Sequence, residues 1–191
     1  VIRAFNNVRF YKSDMSGKCD SLHSSTKNEL TQLIGKPILW NNENQMTGDI
    51  MHLIGNNKTQ KLDSLKVLNN AFIIQKDSLS KNGYNQIKGQ NLYGKFIDSK
   101  LKEVDVVKNA EVIYYMYNDA NEFIGINKTV CSKINLELEE NKINSITLFT
   151  KTDSHIYPEA DFPENARKLR GFLWRGDERI LSKDDIFPAE E

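Results

Sequence analysis

The chain has 191 residues and a mass of 22.0 kDa, a size that fits one domain or one elongated array of repeats. Hydrophobic residues make up 39% and include 9 Phe, 7 Tyr and 2 Trp, enough to bury a core and to exclude disorder over most of the length. Lys and Arg number 26 against 26 Asp and Glu, so the basic excess of a nucleic-acid binder is missing and no nucleic-acid partner is expected.

Four segments in succession share one pattern: residues 8–36, 37–70, 71–110 and 111–151. Each opens with a β-rich run and reaches a glycine after a turn (Gly17, Gly48, Gly89 and Gly125), then closes with an alternating run. A period of roughly 30–40 residues is the mark of solenoids and arrays. In the first unit the closing run is Thr31-Gln32-Leu33-Ile34, a weak match. The second and third units, 65–71 and 104–110, match best and both end in Asn-Ala. The fourth offers Ile146-Thr147-Leu148-Phe149. Period-2 alternation puts Leu65 and Val67 on one face with Val104 and Val106, while Lys66 and Asp105 point to water. Helix signals are nearly absent before residue 160. Asn recurs at the joints, as in Asn41-Asn42, Asn56-Asn57 and Asn69-Asn70, where it tolerates left-handed turns. The reading is all-β, with roughly twelve to sixteen short antiparallel strands.

From Pro158 the composition changes. Residues 158–191 hold three of the four prolines and many charges of both signs, and lose the alternation. One helical turn or two are expected over residues 164–169. The remainder, with Phe172, Trp174 and Phe187 as apolar anchors, reads as an extended tail that caps the array or docks on a neighbouring domain. The division is therefore a repeat region over 1–157 and an irregular extension over 158–191.

A solenoid of amphipathic strands buries its apolar face as core if two sheets close, and presents a groove suited to acyl chains if they splay. Periodicity does not separate the two cases. It does show an apolar stripe continued from unit to unit.

The motifs carry a resemblance. Phe5-Asn6-Asn7-Val8-Arg9-Phe10-Tyr11, Gln45-Met46-Thr47-Gly48-Asp49, Leu62-Asp63-Ser64-Leu65-Lys66-Val67 and the stretch 86–115 follow one another in an order that resembles the OstA-like (LptA-like) family of periplasmic lipopolysaccharide-transport proteins. The likeness spans about residues 1–157, and the tail around 172–187 looks like the extension of the Bacteroidota version. The resemblance implies an open β-jellyroll, or β-taco, of stacked antiparallel strands with an irregular C-terminal tail. It also implies a non-enzymatic periplasmic carrier or bridge that shields the acyl chains of lipopolysaccharide or lipooligosaccharide on the way to the outer membrane. Hydration of a multi-chain lipid costs about 0.8 kcal/mol per exposed CH₂, which an apolar trough removes.

On this alignment the groove residues are Val8, Phe10, Leu39, Leu65, Val67, Ile73, Val104, Val106, Val112, Tyr114, Ile146 and Leu148, with Trp40, Met46 and Met51 at the rim or in the groove. The runs 8–11 and 143–149 are the expected edge strands, where other jellyroll domains of the transport chain, or further copies end to end, would stack. The expected location is the periplasm, in association with the outer membrane. Val1 is no initiator methionine, so the numbering is expected to begin inside a longer product whose signal peptide is removed.

Two other classes compete. A closed β-solenoid scaffold of the cell envelope would show the same stripe and seal it. For an enzyme, the nearest acid–base pair is Asp49 with His52, but residues three apart on a strand face opposite ways. GxSxG, HExxH, Walker and Rossmann motifs are missing, so no enzyme is expected. Cys19 and Cys131 form no CxxC pair and read as free buried thiols. His23, His52 and His155 do not supply the four ligands of a zinc site, and no cofactor or metal is expected.

Overall fold

Asn69 and Asn70 sit in the left-handed region, at φ 59° and 51°, yet the strand that contains them runs on to Lys76. This local event recurs and shapes the molecule. The structure, a computed structural model, describes residues 1–140, 142–150 and 153–187. Its strands are β1 (Ile2–Lys12), β2 (Met15–Ser25), β3 (Leu30–Ile34), β4 (Ile38–Asn41), β5 (Asn44–Thr47) and β6 (Ile50–Asn56). They continue as β7 (Lys61–Lys76), β8 (Tyr84–Ile97), β9 (Lys100–Tyr117), β10 (Phe123–Glu139), β11 (Lys142–Phe149) and β12 (Asp153–Tyr157). All pairings are antiparallel. The all-β expectation holds; the expectation of short strands does not, since β7 to β10 run for 16, 14, 18 and 17 residues.

The long strands bend rather than stop. Pairing registers shift between Phe5 and Val8 in β1, Leu68 and Ala71 in β7, Lys88 and Asn91 in β8, and Cys131 and Lys133 in β10. The unpaired residues at these bulges carry the turn: Asn6 and Asn7, Asn69 and Asn70, and Lys108 and Asn109 in β9 all have positive φ. A bulge increases local twist and bends the strand, and Asn bears the left-handed region better than most residues. At Asn69-Asn70, what reads in sequence as a joint is therefore a corner within one strand, whereas Asn41-Asn42 and Asn56-Asn57 stand where one strand ends before the next. The Ala after the Asn, Ala71 or Ala110, is buried inside that corner.

Each bent strand contributes to two leaves. The front leaf holds β3, β6, β11 and the halves of β1, β2 and β7–β10 that pair beside them. The back leaf holds β4, β5, β12 and the remaining halves. Between Gly35 and Pro37, and again at Gly48-Asp49, the chain passes from front to back leaf or the reverse without a continuous strand. Because β2 and β7 span both leaves, hydrogen bonding closes the ring β2–β4–β5–β7–β6–β3. Over these six strands the open trough expected from the sequence is replaced by a closed ring. At the ends, β1 pairs only with β2, β11 only with β10, and β12 only with β10 among the described residues, so the two expected edge runs lie on terminal strands.

After Tyr157 the chain forms four single 3₁₀ turns, Glu159–Asp161, Glu164–Ala166, Gly176–Glu178 and Asp184–Ile186. The tail neither caps an end nor leaves the domain. It crosses the outer face of the back leaf from β12 towards β1, and buries Phe162 and Leu169 with Phe72, Ile74, Ile113, Tyr115 and Ile126. Phe172 and Trp174 pack half-buried beside Tyr84, with ring centroids 5.2 and 5.5 Å away. Phe187 is 76% exposed and anchors nothing; residues 188–191 of the expected tail lie outside the described residues.

Candidate functional site

The interior is built rung by rung from register. In the front leaf, Leu22, Leu33, Met51, Val67, Leu92, Val106, Ile134 and Leu148 stand opposite one another in sequence across eight strands. The facing back leaf carries the row Phe10, Gly17, Leu39, Met46, Ile73, Ile87 and Val112. On one side of the front row the outward-facing neighbours are polar or amphipathic, Gln32, His52, Lys66, Tyr93, Asp105 and Asn135, while on the other side they are mostly apolar, among them Ile34, Ile50, Leu68, Val107 and Phe149. A pleated strand alternates its side chains, so one register sets both faces at once.

All twelve groove residues from the sequence lie in one apolar cluster between the leaves. Leu65, Val67, Val104, Val106, Ile146 and Leu148 come from the front leaf; Val8, Phe10, Leu39, Ile73, Val112 and Tyr114 come from the back leaf. Leu39, Leu65 and Val67 are fully buried, whereas Val8, Phe10, Tyr114, Ile146 and Leu148 are half-buried, and each of the five stands on or beside a terminal strand or β9. Met46 and Met51 also face the interior. Trp40 does not: it stands opposite Ser16 and Gln45 on the outer face, under the tail, with the Lys18 ammonium 5.8 Å from its ring. Asp49 and His52 have separate partners, Asn70 and Gln32.

The middle of this interior is filled by its own side chains. The cavity bounded by Met46, Ile73, Val104 and Leu136 measures only about 10 Å³, at the lower limit for one water. The N-terminal end differs. There a cavity of about 430 Å³, in the size range of small-molecule pockets, opens among Ile2, Phe10, Met15, Leu22, Leu30, Leu33, Leu53 and Leu62. Phe10, Met15, Leu22, Leu33, Leu53 and Leu62 belong to the interior cluster as well, so this mouth opens directly onto the core. Lys12, Glu29 and Lys61 are its charged members. Buried ionisable groups near the interior are held neutral: burial pushes the Cys19 thiol up to about 11 and raises Tyr114 above the ordinary phenol range, where the nearby Asp77 charge adds to the effect.

Sequence reasoning missed Leu33, Leu92, Ile134 and the mouth residues Leu22, Leu53 and Leu62. The signal was present for Leu92, which stands opposite both Val67 and Val106. It sits in Asn91-Leu92-Tyr93-Gly94, where the glycine and the aromatic on the outer face blur the alternation.

No family model matches the chain, and no curated protein matches it in sequence. Among solved structures, nine chains match in fold. One is LptH from Pseudomonas aeruginosa, described as the LptA homologous periplasmic component of the conserved lipopolysaccharide transport device; it aligns with a TM-score of 0.56 at 16% identity, covering 77% of this chain and 100% of LptH. A likeness of that kind establishes a shared β-jellyroll fold.

Proposed function

We propose that this chain is a non-enzymatic carrier or bridge of the periplasm, one that takes acyl chains of lipopolysaccharide or lipooligosaccharide between its leaves during transport to the outer membrane. The observation that carries the reading is the apolar mouth of about 430 Å³, whose walls continue into the row Leu22–Leu33–Met51–Val67. An acyl chain entering there passes a polar rim that includes Lys12, Glu29 and Lys61, and then meets the apolar wall of Phe10, Met15, Leu22, Leu33, Leu53 and Leu62, at a gain of about 0.8 kcal/mol per CH₂. Passage deeper requires the leaves to part where they are not tied by the six-strand ring, beside β8–β11. The fold shared with LptH supports the reading, as do the free edges of β1, β11 and β12, where related domains or further copies would continue the trough.

The filling of the space between the leaves favours a second reading, a sealed scaffold of the cell envelope: beside β9–β11 the interior cavity is only about 10 Å³, and the six-strand ring closes the neighbouring part. A photo-crosslinking residue at Leu62 in the mouth, at Val67 and at Val106, with outward-facing Lys66 as control, separates the two in a lipopolysaccharide-producing cell. Lipid adducts at Val67 and Val106 but not Lys66 are the expected result. Adducts at Leu62 alone would restrict the lipid to the mouth. Silence at all four positions would leave the scaffold.

A further inference from the structure

A second cleft, of about 880 Å³, lies outside the interior, between the row of corners and the tail. The corners supply amide side chains, Asn69, Asn70, Gln90 and Asn109, with Gly48 and Gly89 between them in the lining. The tail supplies the opposite wall, and its position is set by two glutamines on one outer row of the back leaf. Gln86 donates to the Arg167 carbonyl (2.7 Å) and accepts from the Leu169 amide (2.8 Å); Gln45 donates to the Leu173 carbonyl and accepts from the Arg175 amide, both at 2.7 Å. Between these anchors the chain turns at Gly171, φ 93°, with the Phe172 amide bonded to the Leu169 carbonyl. Arg170 is thus presented at the cleft by a turn pinned at both ends, and Lys88 ties the Arg170 carbonyl at 3.2 Å.

The charges of the cleft do not cancel. Lys36, Lys88, Arg170 and Arg175 face two carboxylates, Asp49 and Glu111. Lys88 pairs with Glu111 at 3.2 Å, Arg175 pairs with Glu178 beyond the cleft at 2.7 Å, and Asp49 accepts from Asn70. That leaves Lys36 and Arg170 without a carboxylate partner and Asp49 without a cation among the described residues, an excess of one positive charge. Two unpaired cations beside a rank of amides match a ligand that is both anionic and rich in hydroxyls. A guanidinium takes two phosphate oxygens at once, and amides bond hydroxyls as donors and acceptors. The volume far exceeds that of a bare anion, and among the described residues of the lining the aromatic, Phe72, is buried and offers no face for a base.

We propose that this cleft binds a phosphorylated saccharide, either free or as the head group of an amphiphile. The assignment goes beyond the acyl-chain reading and does not depend on it, since no residue of the interior row lines the cleft.

The test titrates the ¹⁵N-labelled chain with a bisphosphorylated glucosamine disaccharide lacking acyl chains, with neutral chitobiose, with inorganic phosphate and with a tetraglutamate peptide. Expected are saturable amide shifts at Gly48, Gly89 and Gly171 with the phosphorylated disaccharide. Affinity should fall by at least about tenfold in the Lys36→Gln, Arg170→Gln double variant and stay unchanged in Lys95→Gln on the front leaf. Both cations of the double variant are exposed and unpaired, so its melting temperature should match the parent. No saturable binding, equal binding by chitobiose, phosphate or tetraglutamate, or an undiminished affinity in the double variant would each overturn the proposal. Vesicles carrying the acylated form of the disaccharide then assign the source: a preference of about tenfold for vesicles marks a lipid head group, and parity marks a free saccharide. Loss of cleft shifts with lipid adducts intact at Val106 would sink this proposal and leave the carrier reading standing.

Discussion

Val106 occupies the space that a side chain on Gly89 would need: a Cβ built on Gly89 would lie 2.6 Å from Cγ1 of Val106. Gly48 stands in the same relation to Val67 one unit earlier. Sequence makes the two valines equivalent groove residues and the two glycines equivalent positions after a turn, and the structure shows each Gly–Val pair to be one device. The glycine lets the neighbouring strand close against the corner, and the valine fills the gap from the interior row.

Replacing either glycine by alanine forces a well-packed β-branched side chain or the backbone to move. Gly48→Ala and Gly89→Ala are each expected to cost about 1–3 kcal/mol in urea unfolding. Gly55→Ala serves as the control, because its nearest neighbours are carbonyl oxygens at 3.7 and 3.8 Å, and it should change stability little.

The tail hangs on its two glutamines. Gln45 and Gln86 are buried, and truncation of either leaves a main-chain donor and acceptor without partners on a covered face. Gln86→Ala should weaken docking of the tail by about 1–3 kcal/mol and expose the 163–176 region to limited proteolysis, while strands β1–β12 stay protected. Equal resistance of the variant and the parent to protease would show that Phe162 and Leu169 hold the tail by themselves.

An acid-sensitive contact ties the same tail to β2. Glu178 bonds Arg175 and, at 3.3 Å, Lys18, and these cations hold its carboxyl at about 2, below the ordinary 4.5. A depressed carboxylate stabilises the folded form above the ordinary value, and the contribution is lost as pH falls from about 4.5 towards 2. Fluorescence of Trp174 and Trp40 followed over that window should show a transition that Glu178→Gln lacks.

Both cysteines are free and buried, and burial raises both thiols, Cys19 to about 11. At pH 8 a thiol reagent should label them far more slowly than in urea, since the thiolate is the reactive form. Rapid labelling under native conditions would mean that the leaves open readily at Cys19 or Cys131, and lipid added at saturating concentration should then change the rate.

Leu92 is one of the interior residues that reading the sequence left out. It lies between Val67 and Val106 on the front row, fully buried. Leu92→Ala should cost about 2–5 kcal/mol and leave a hole in the row. On the carrier reading the same variant, monitored with a fluorescent fatty acid, should take up more probe than the parent.

The strand period and the corner residues were legible in the sequence because both are local. Alternation at 65–67 and 104–106 reports which side chains share a face whatever the strand pairs with, and an Asn pair followed by Ala reports a left-handed step into a crowded corner. That is why twelve residues named from sequence fall in a single interior. Trp40 and Phe187 escaped the same logic. A large apolar side chain reads alike whether it faces a core, a covered outer face or water, and only the path of the tail puts Trp40 beneath it and leaves Phe187 bare.

By itself, then, the chain determined its all-β character, its repeat, its inward-facing set and the place of its terminal edges, since each follows from spacings of one to a few residues. The rest rests on contacts between residues far apart in the chain. Pairing of β6 with β7 closes the ring, opposition of the two leaves fills the middle and leaves a mouth at one end, and Gln45 and Gln86 reach about 80 to 130 positions along to hold the tail. No short-range pattern encodes which distant partner a strand or an amide will meet, because that choice is made by the packing of the whole chain.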